Sequence, residues 1–263
     1  MKIIAKKSLG QNFLIDRNII EKIVKITNIH NKNVLEIGPG TGNLTEFILQ
    51  ENPNHLTVIE KDENLCQKLF LRFKDKIEII NGDVLKENLE IKNSNEKFTV
   101  FGNLPYNIST EIICRWVLNL KETCWFDELV LMFQKEVADR IIAKENSSKF
   151  GRLTVLINWR LNIKKVFDIG PSSFSPKPKI DSTVLHFTPK NEFQKFKNSK
   201  NIEIVTRTFF NQRRKMIKNP LKQLFKNPKE ISDKLNIDLN LRPQNLSMLQ
   251  FYEIINEYEK LRS

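Results

Sequence analysis

Short runs of aliphatic and β-branched residues alternate with longer stretches of helical period through the first two thirds of this chain. Residues 33–37, 56–60, 77–80, 98–102 and 128–133 are apolar runs of strand length. Residues 17–29, the stretch from Thr41, residues 110–120 and residues 134–143 lie between or beside them and read as helices. Strands separated by helices predict an α/β fold with a doubly wound sheet. Residues 163–167 and 182–187 read as an antiparallel pair covering the edge that such a sheet leaves open. Beyond residues 189–201, which are polar and rich in Lys and Asn, the pattern becomes helical only, over 202–211, 221–225, 228–235 and 246–261. The boundaries expected are therefore 1–190 for the α/β domain with an N-terminal arm and 191–263 for a small all-α domain.

The first strand run enters the turn Gly38-Pro39-Gly40-Thr41-Gly42. Glycines there let the backbone take positive φ and approach a ligand closely. The spacing is not the dinucleotide pattern, whose third glycine would fall at position 43, where Asn stands. Such a turn either closes a βα corner or opens a nucleotide site at the carboxyl end of its strand. Glu60 ends the next strand run, 22 residues after Gly38, placed to accept hydrogen bonds from ribose hydroxyls. Asp83 follows the third run in the turn Asn81-Gly82-Asp83-Val84. Three consecutive strand ends bearing a glycine loop, Glu and Asp resemble the Rossmann-like class I S-adenosylmethionine methyltransferases. The resemblance implies that Glu60 holds the cofactor ribose and Asp83 contacts its adenine.

Charge adds a partner class. The chain of 263 residues carries 43 basic and 31 acidic side chains, a net charge of +12, and favours a polyanion. Residues 191–263 hold 15 basic and 8 acidic side chains, so the excess is concentrated in the helical tail. Within it, Gln212-Arg213-Arg214-Lys215 opens a dense basic segment that is either a solvated face or a surface tracking RNA phosphates. Cys66, Cys114 and Cys124 are odd in number and lack C-x-x-C spacing, so neither a disulfide framework nor a zinc site is expected. His30, His55 and His186 are scattered, and no metal is assigned to them. The basic residues Lys2, Lys6 and Lys7 have no apolar stretch of signal type behind them, and no run reaches membrane-spanning length; a reduced, cytoplasmic protein is expected.

The fourth strand run ends in Asn103-Leu104-Pro105-Tyr106-Asn107-Ile108-Ser109. Pro105 keeps Leu104 out of the helical region, so the Asn103 side chain and the Leu104 carbonyl can point outward together. Asn107 or Ser109 is expected to cap the following helix, and Tyr106 offers a flat aromatic face. By resemblance, this box marks methylation of an exocyclic amino nitrogen. The residue types suit that chemistry. The N6 lone pair of adenine is delocalised into the ring, so two acceptors that engage both N–H groups favour a pyramidal, nucleophilic nitrogen. Asn is neutral and cannot serve as a general base; it accepts and positions.

Two further segments bear on the site. Lys7-Ser8-Leu9-Gly10-Gln11-Asn12-Phe13-Leu14 precedes Asp16, a candidate N-cap, and is either a polar loop or an arm folded over the glycine turn. The stretch from Pro171 to Pro178 holds three prolines around Phe174, which either plugs the core beneath the loop or forms a second wall of the base slot opposite Tyr106. The arm motif, the glycine turn, the Asn103 box, the Phe174 loop and the Gln212–Lys215 segment together resemble the rRNA adenine N6-dimethyltransferases. Within them they resemble the bacterial small-subunit (16S) enzymes, across the whole chain. That resemblance implies S-adenosylmethionine as cofactor, with Asn12, Leu14, Gly38, Gly40, Glu60, Asp83 and Asn103 contacting it. It implies Asn103, Leu104, Tyr106 and Phe174 at the reacting base, and Arg213, Arg214 and Lys215 on RNA. The implied substrate is two adjacent adenosines in the 3′-terminal hairpin of 16S rRNA, within an immature 30S particle, acted on by a monomer without metal. Phe150 stands where the family more often has tyrosine, which keeps an aromatic ring.

Overall fold

In the computed structural model of this chain, residues 10–87, 89 and 97–262 are described; Lys2, Lys6, Lys7, Ser8 and Leu9 lie outside them. The described residues form two compact units. The first runs to Arg115 and adds Leu120–Ala138 and Asn162–Pro189. The second joins Trp116–Asn119 and Asp139–Leu161 to the chain from Lys190 onward.

The first unit is built on a seven-stranded sheet. After a two-residue strand, Phe13–Leu14 (β1), come Asn33–Ile37 (β2), His55–Glu60 (β3), Glu78–Asn81 (β4), Phe98–Asn103 (β5), Phe126–Gln134 (β6) and Leu161–Ile169 (β7). Phe174–Ser175 (β8) is again short, and Ser182–Pro189 (β9) is the last strand. The order across the sheet is β4-β3-β2-β5-β6-β9-β7, with β1 and β8 paired separately. Neighbours from β4 to β6 run parallel, and β9 lies antiparallel to β6. The central strands are buried on both faces, which is why they read as continuous apolar runs rather than alternating ones. The run expected at residues 163–167 is the core of β7, the outermost strand, next to β9.

Register carries the functional consequence. Ile37 pairs with Ile59 on one side and with Gly102 on the other, while Glu60 pairs with Asn81. Gly38, Glu60 and Asn103, each one residue further on, therefore emerge at one edge of the sheet. Chain order reverses between β2 and β5, and open α/β sheets place their crevices at the carboxyl ends beside such a reversal.

The helices follow the expected pattern with two differences. Helix α1, Arg17–Val24, begins at Asp16, whose Oδ1 accepts from the Asn18 and Ile19 amides at 3.1 and 3.3 Å. It ends five residues before the expected Ile29, and just beyond it the Asn28 side chain accepts from the His30 amide, offering the backbone a turn instead. Helices α2 (Asn43–Gln50) and α3 (Glu63–Phe73) follow β2 and β3. Helix α4, Ser109–Asn119, has Ile108 at its cap and no side-chain cap, so neither Asn107 nor Ser109 serves there. The backbone does the work: the Pro105 carbonyl accepts from the Ile108 and Ser109 amides at 3.1 and 3.0 Å. Helix α5 is Lys135–Ile141.

The second unit contains α6 (Arg152–Arg160), α7 (Lys200–Phe210), α8 (Lys218–Leu224), α9 (Pro228–Leu235) and α10 (Met248–Lys260). Its core is aromatic. The Phe251 ring lies 5.5 Å from both Phe209 and Phe210, and Phe150 lies 6.2 Å from Phe210. Ring pairs at these separations add to the burial of large apolar area. No described helix is long and apolar enough to cross a membrane.

Candidate active site

The glycine turn is held by the strand beside it. Gly38, Gly40 and Gly42 all have positive φ, at 68°, 57° and 79°. A side chain at Gly40 would run into the Phe13 ring, with its Cβ only 2.7 Å away, so the arm packs directly on the turn. At Gly38 the nearest atom to such a Cβ is the Asn103 carbonyl oxygen, at 3.8 Å, an ordinary van der Waals contact, so there the positive φ rather than crowding favours glycine. The Gly40 amide donates to Glu60 Oε2 at 3.1 Å, and the Asp62 amide donates to Glu60 Oε1 at 2.9 Å. The Lys61 amide also acts on this carboxylate, and with about four acceptor sites in all it keeps capacity for a further donor. Burial pushes the Glu60 carboxyl above its ordinary range, against the pull of those amides. Asp83 is held below the carboxylate range chiefly by Lys61, whose ammonium donates to it at 2.9 Å, with the Leu85 amide on its other oxygen.

Behind the turn lies a group that the sequence pattern did not mark as functional. Glu36 is fully buried in β2 and accepts from the Thr45 hydroxyl of α2 at 2.6 Å. Burial, with Glu60 nearby, raises its carboxyl to about 8. The pair spans the glycine turn from strand to helix. Nothing in a Glu–Ile–Gly string distinguishes a buried acid from a solvated one.

The Asn103 box ends β5, the strand beside β2. Leu104 is buried and Tyr106 half-buried, with its hydroxyl 2.6 Å from Ser182 Oγ on β9. Burial raises the Tyr106 phenol. Asn103 Nδ2 donates to the Asn12 carbonyl at 2.7 Å, and Asn43 Nδ2 donates to the Leu14 carbonyl at 2.8 Å. The described part of the arm thus lies over the turn rather than loose in solvent. Gly10 to Leu14, Glu36 to Thr41, Ile59 to Lys61, Gly82 to Val84 and Asn103 to Ile108 line one cavity of about 170 Å³. Asn12, Leu14, Gly38, Gly40, Glu60, Asp83, Asn103, Leu104 and Tyr106 are all among its lining residues.

Phe174 is not among them. It is 3 % exposed and belongs to the core cluster with Leu14, Ile169 and Val184, because its pairing with Leu14 turns the ring inward. The structure thus favours the core plug over the second wall of a base slot. In the second unit the basic segment divides. Arg213 donates to the carbonyls of Ser148 and Phe150 and to Gln244, whereas Arg214 and Lys215 are exposed. Among the described residues no group of three or more His, Cys, Asp or Glu is arranged to hold a metal ion.

Comparison with known proteins fits this geometry. A family model described as ribosomal RNA adenine dimethylase matches residues 4–260. The chain belongs to the ribosomal RNA adenine dimethylase family.

This dimethylase is 59 % identical over 262 residues to Ribosomal RNA small subunit methyltransferase A of Pelagibacter ubique, covering all of both chains. It is 41 % identical over 260 residues to the protein of the same name in Ehrlichia chaffeensis, covering 97 % of each. Among solved structures, a dimethyladenosine transferase from Plasmodium falciparum matches with a TM-score of 0.76 at 25 % identity, over 94 % of this chain and 98 % of that one. The 23S rRNA methyltransferase ErmE matches with a TM-score of 0.67 at 23 % identity, over 94 % and 100 %, and shares the Rossmann-like fold. The dimethylase is a methyltransferase, and its lining residues fit a nucleoside cofactor: a bare glycine backbone, an acid at the end of β3 and another just after β4. Thr45, Asn43 and Ser182 are contributors that local sequence spacing does not reveal, since each is defined by a partner distant in sequence.

Proposed function

We propose that this dimethylase methylates N6 of adenosines in small-subunit rRNA, with S-adenosylmethionine as donor. The substrate proposed is the pair of adjacent adenosines in the 3′-terminal hairpin of 16S rRNA, in an immature 30S particle, each taken to the dimethyl form. The observation that carries the reading is Asn103, set at the cavity edge beside a glycine turn and two strand-end acids. When bound, the cofactor supplies an electrophilic methyl group on a sulfonium. Glu60 would accept from its ribose hydroxyls and Asp83 would contact its adenine, with Asn12, Leu14, Gly38 and Gly40 around it. Asn103 Oδ1 and the Leu104 carbonyl accept the two N–H groups of the target amine. Tyr106 gives the base a stacking face, worth about 1–3 kcal/mol. The tail from residue 191 tracks RNA phosphates, with the exposed Arg214 and Lys215 as its cations. The protein acts as a monomer in the cytoplasm.

The test is incubation with methyl-labelled cofactor and undermethylated 30S particles, 50S particles or DNA. Label is expected in 30S rRNA as N6,N6-dimethyladenosine, and Asn103→Ala is expected to cut turnover far more than cofactor affinity. Label in 50S particles or DNA alone would overturn the substrate assignment.

A further inference from the structure

An asparagine amide has two different ends, and the proposed chemistry uses only one of them. If Asn103 is to accept from an adenine amine, its oxygen must face the base; the reversed amide would present two N–H groups to two N–H groups. The two orientations have nearly the same shape, so packing alone barely distinguishes them. A hydrogen-bond partner does. Asn103 Nδ2 lies 2.7 Å from the backbone carbonyl of Asn12, a residue 91 positions earlier. Only a donor can sit at that distance from a carbonyl oxygen, since a reversed amide would set oxygen against oxygen. No described residue donates to Asn103 Oδ1, which is left for the cavity that Asn103 lines.

The carbonyl is itself fixed. The Asn12 side chain turns back to the Gly10 carbonyl at 3.3 Å, and Asn43 holds the Leu14 carbonyl at 2.8 Å. Phe13 and Leu14 pair with Ser175 and Phe174, and the Ile15 amide donates to the Ser173 carbonyl at 2.9 Å. The arm therefore presents an acceptor at a set place on the rim of the cavity.

We propose that Asn12 is a positioning residue whose backbone carbonyl orients the Asn103 amide, so that Oδ1 and not Nδ2 meets the adenine amine. This rests on the reading of Asn103 as the amine acceptor. It gives the arm a second duty beside framing the cofactor: an arm that lifts leaves the catalytic amide free to turn over.

Two measurements on the full chain test it. The first needs no substrate. In asparagine-labelled protein, with the Asn103 resonances assigned by their loss in Asn103→Ala, the side-chain N–H proton bonded to the Asn12 carbonyl should exchange roughly tenfold more slowly than in an unstructured peptide. Exchange at the unprotected rate would mean that the bond to Asn12 is not made, whatever the protein methylates. The second uses Asn103→Asp. An ionised carboxylate has two acceptors and no donor for the Asn12 carbonyl, whereas the protonated acid restores one of each. The ratio of variant to parental kcat should therefore rise as pH falls, approaching tenfold per pH unit above the pKa of the new acid. A merely structural or acceptor-only Asn103 predicts a flat ratio or one that rises with pH. Either result, or a folded variant silent across the range, overturns the proposal. Failure of the parent to methylate 30S rRNA would instead strike the function assigned above and leave the exchange result standing.

Discussion

Leu14 and Phe174 stand opposite one another in the small antiparallel ladder of β1 and β8, and both are buried, at 5 % and 3 % exposure. The contact ties the arm that covers the glycine turn to the proline-rich loop before β9. An aromatic ring so enclosed contributes by filling volume. Phe174→Ala is accordingly expected to cost about 3–5 kcal/mol of stability, read from urea or thermal unfolding. A variant as stable as its parent but defective on RNA would return Phe174 to the base.

Glu60 both shapes the turn and faces the cavity. Its two oxygens accept from the Gly40 and Asp62 amides, so a truncation removes these ties along with the proposed ribose acceptor. Glu60→Ala should weaken S-adenosylmethionine binding by about 1.5–3 kcal/mol, the range for hydrogen bonds to a charged group. Titration calorimetry is the direct check; unchanged affinity would remove Glu60 from the cofactor site.

Glu36 links the turn to pH. Its carboxyl is raised to about 8 by burial, so the folded chain keeps a proton that the unfolded chain has lost above the ordinary carboxylate value of 4.5. Protons bound more tightly in the folded state make stability fall as pH rises, here between those two values. Glu36→Gln keeps an acceptor for Thr45 and never ionises, so its stability relative to the parent should improve by about 3–4 kcal/mol between about pH 5 and about pH 8. Denaturation midpoints of both proteins at the two pH values decide it, and a constant difference would show that Glu36 does not titrate in this window.

The basic segment should separate into two behaviours. Arg213 bridges the Ser148 and Phe150 carbonyls and Gln244, so Arg213→Ala should lower thermal stability. Arg214 and Lys215 are exposed, and replacing both with Ala should leave stability nearly unchanged while weakening 30S-particle binding. The slope of log affinity against log salt should flatten by about one to two units for the pair. An unaltered slope would make this a solvated face without RNA contact.

The sequence by itself determined the alternation of strands and helices, the glycine turn, and the acids and amide at successive strand ends. These are local properties, readable from spacing within a few residues, and Gly38, Glu60, Asp83 and Asn103 could each be picked out from the run before it. Tertiary structure decided what each polar group faces. The parallel register brought the strand ends to one level, the Asn12 carbonyl took one end of the Asn103 amide, and Ser182 met the Tyr106 hydroxyl. It also turned Phe174 inward, drew Arg213 onto backbone carbonyls, and gave the start of α4 to the Pro105 carbonyl instead of a side chain. Local propensity reflects the energy of a residue among its near neighbours in sequence. The partner of a side chain is set by the packing of segments far apart in the chain, where burial makes an unpaired polar group costly and leaves few arrangements that satisfy all of them.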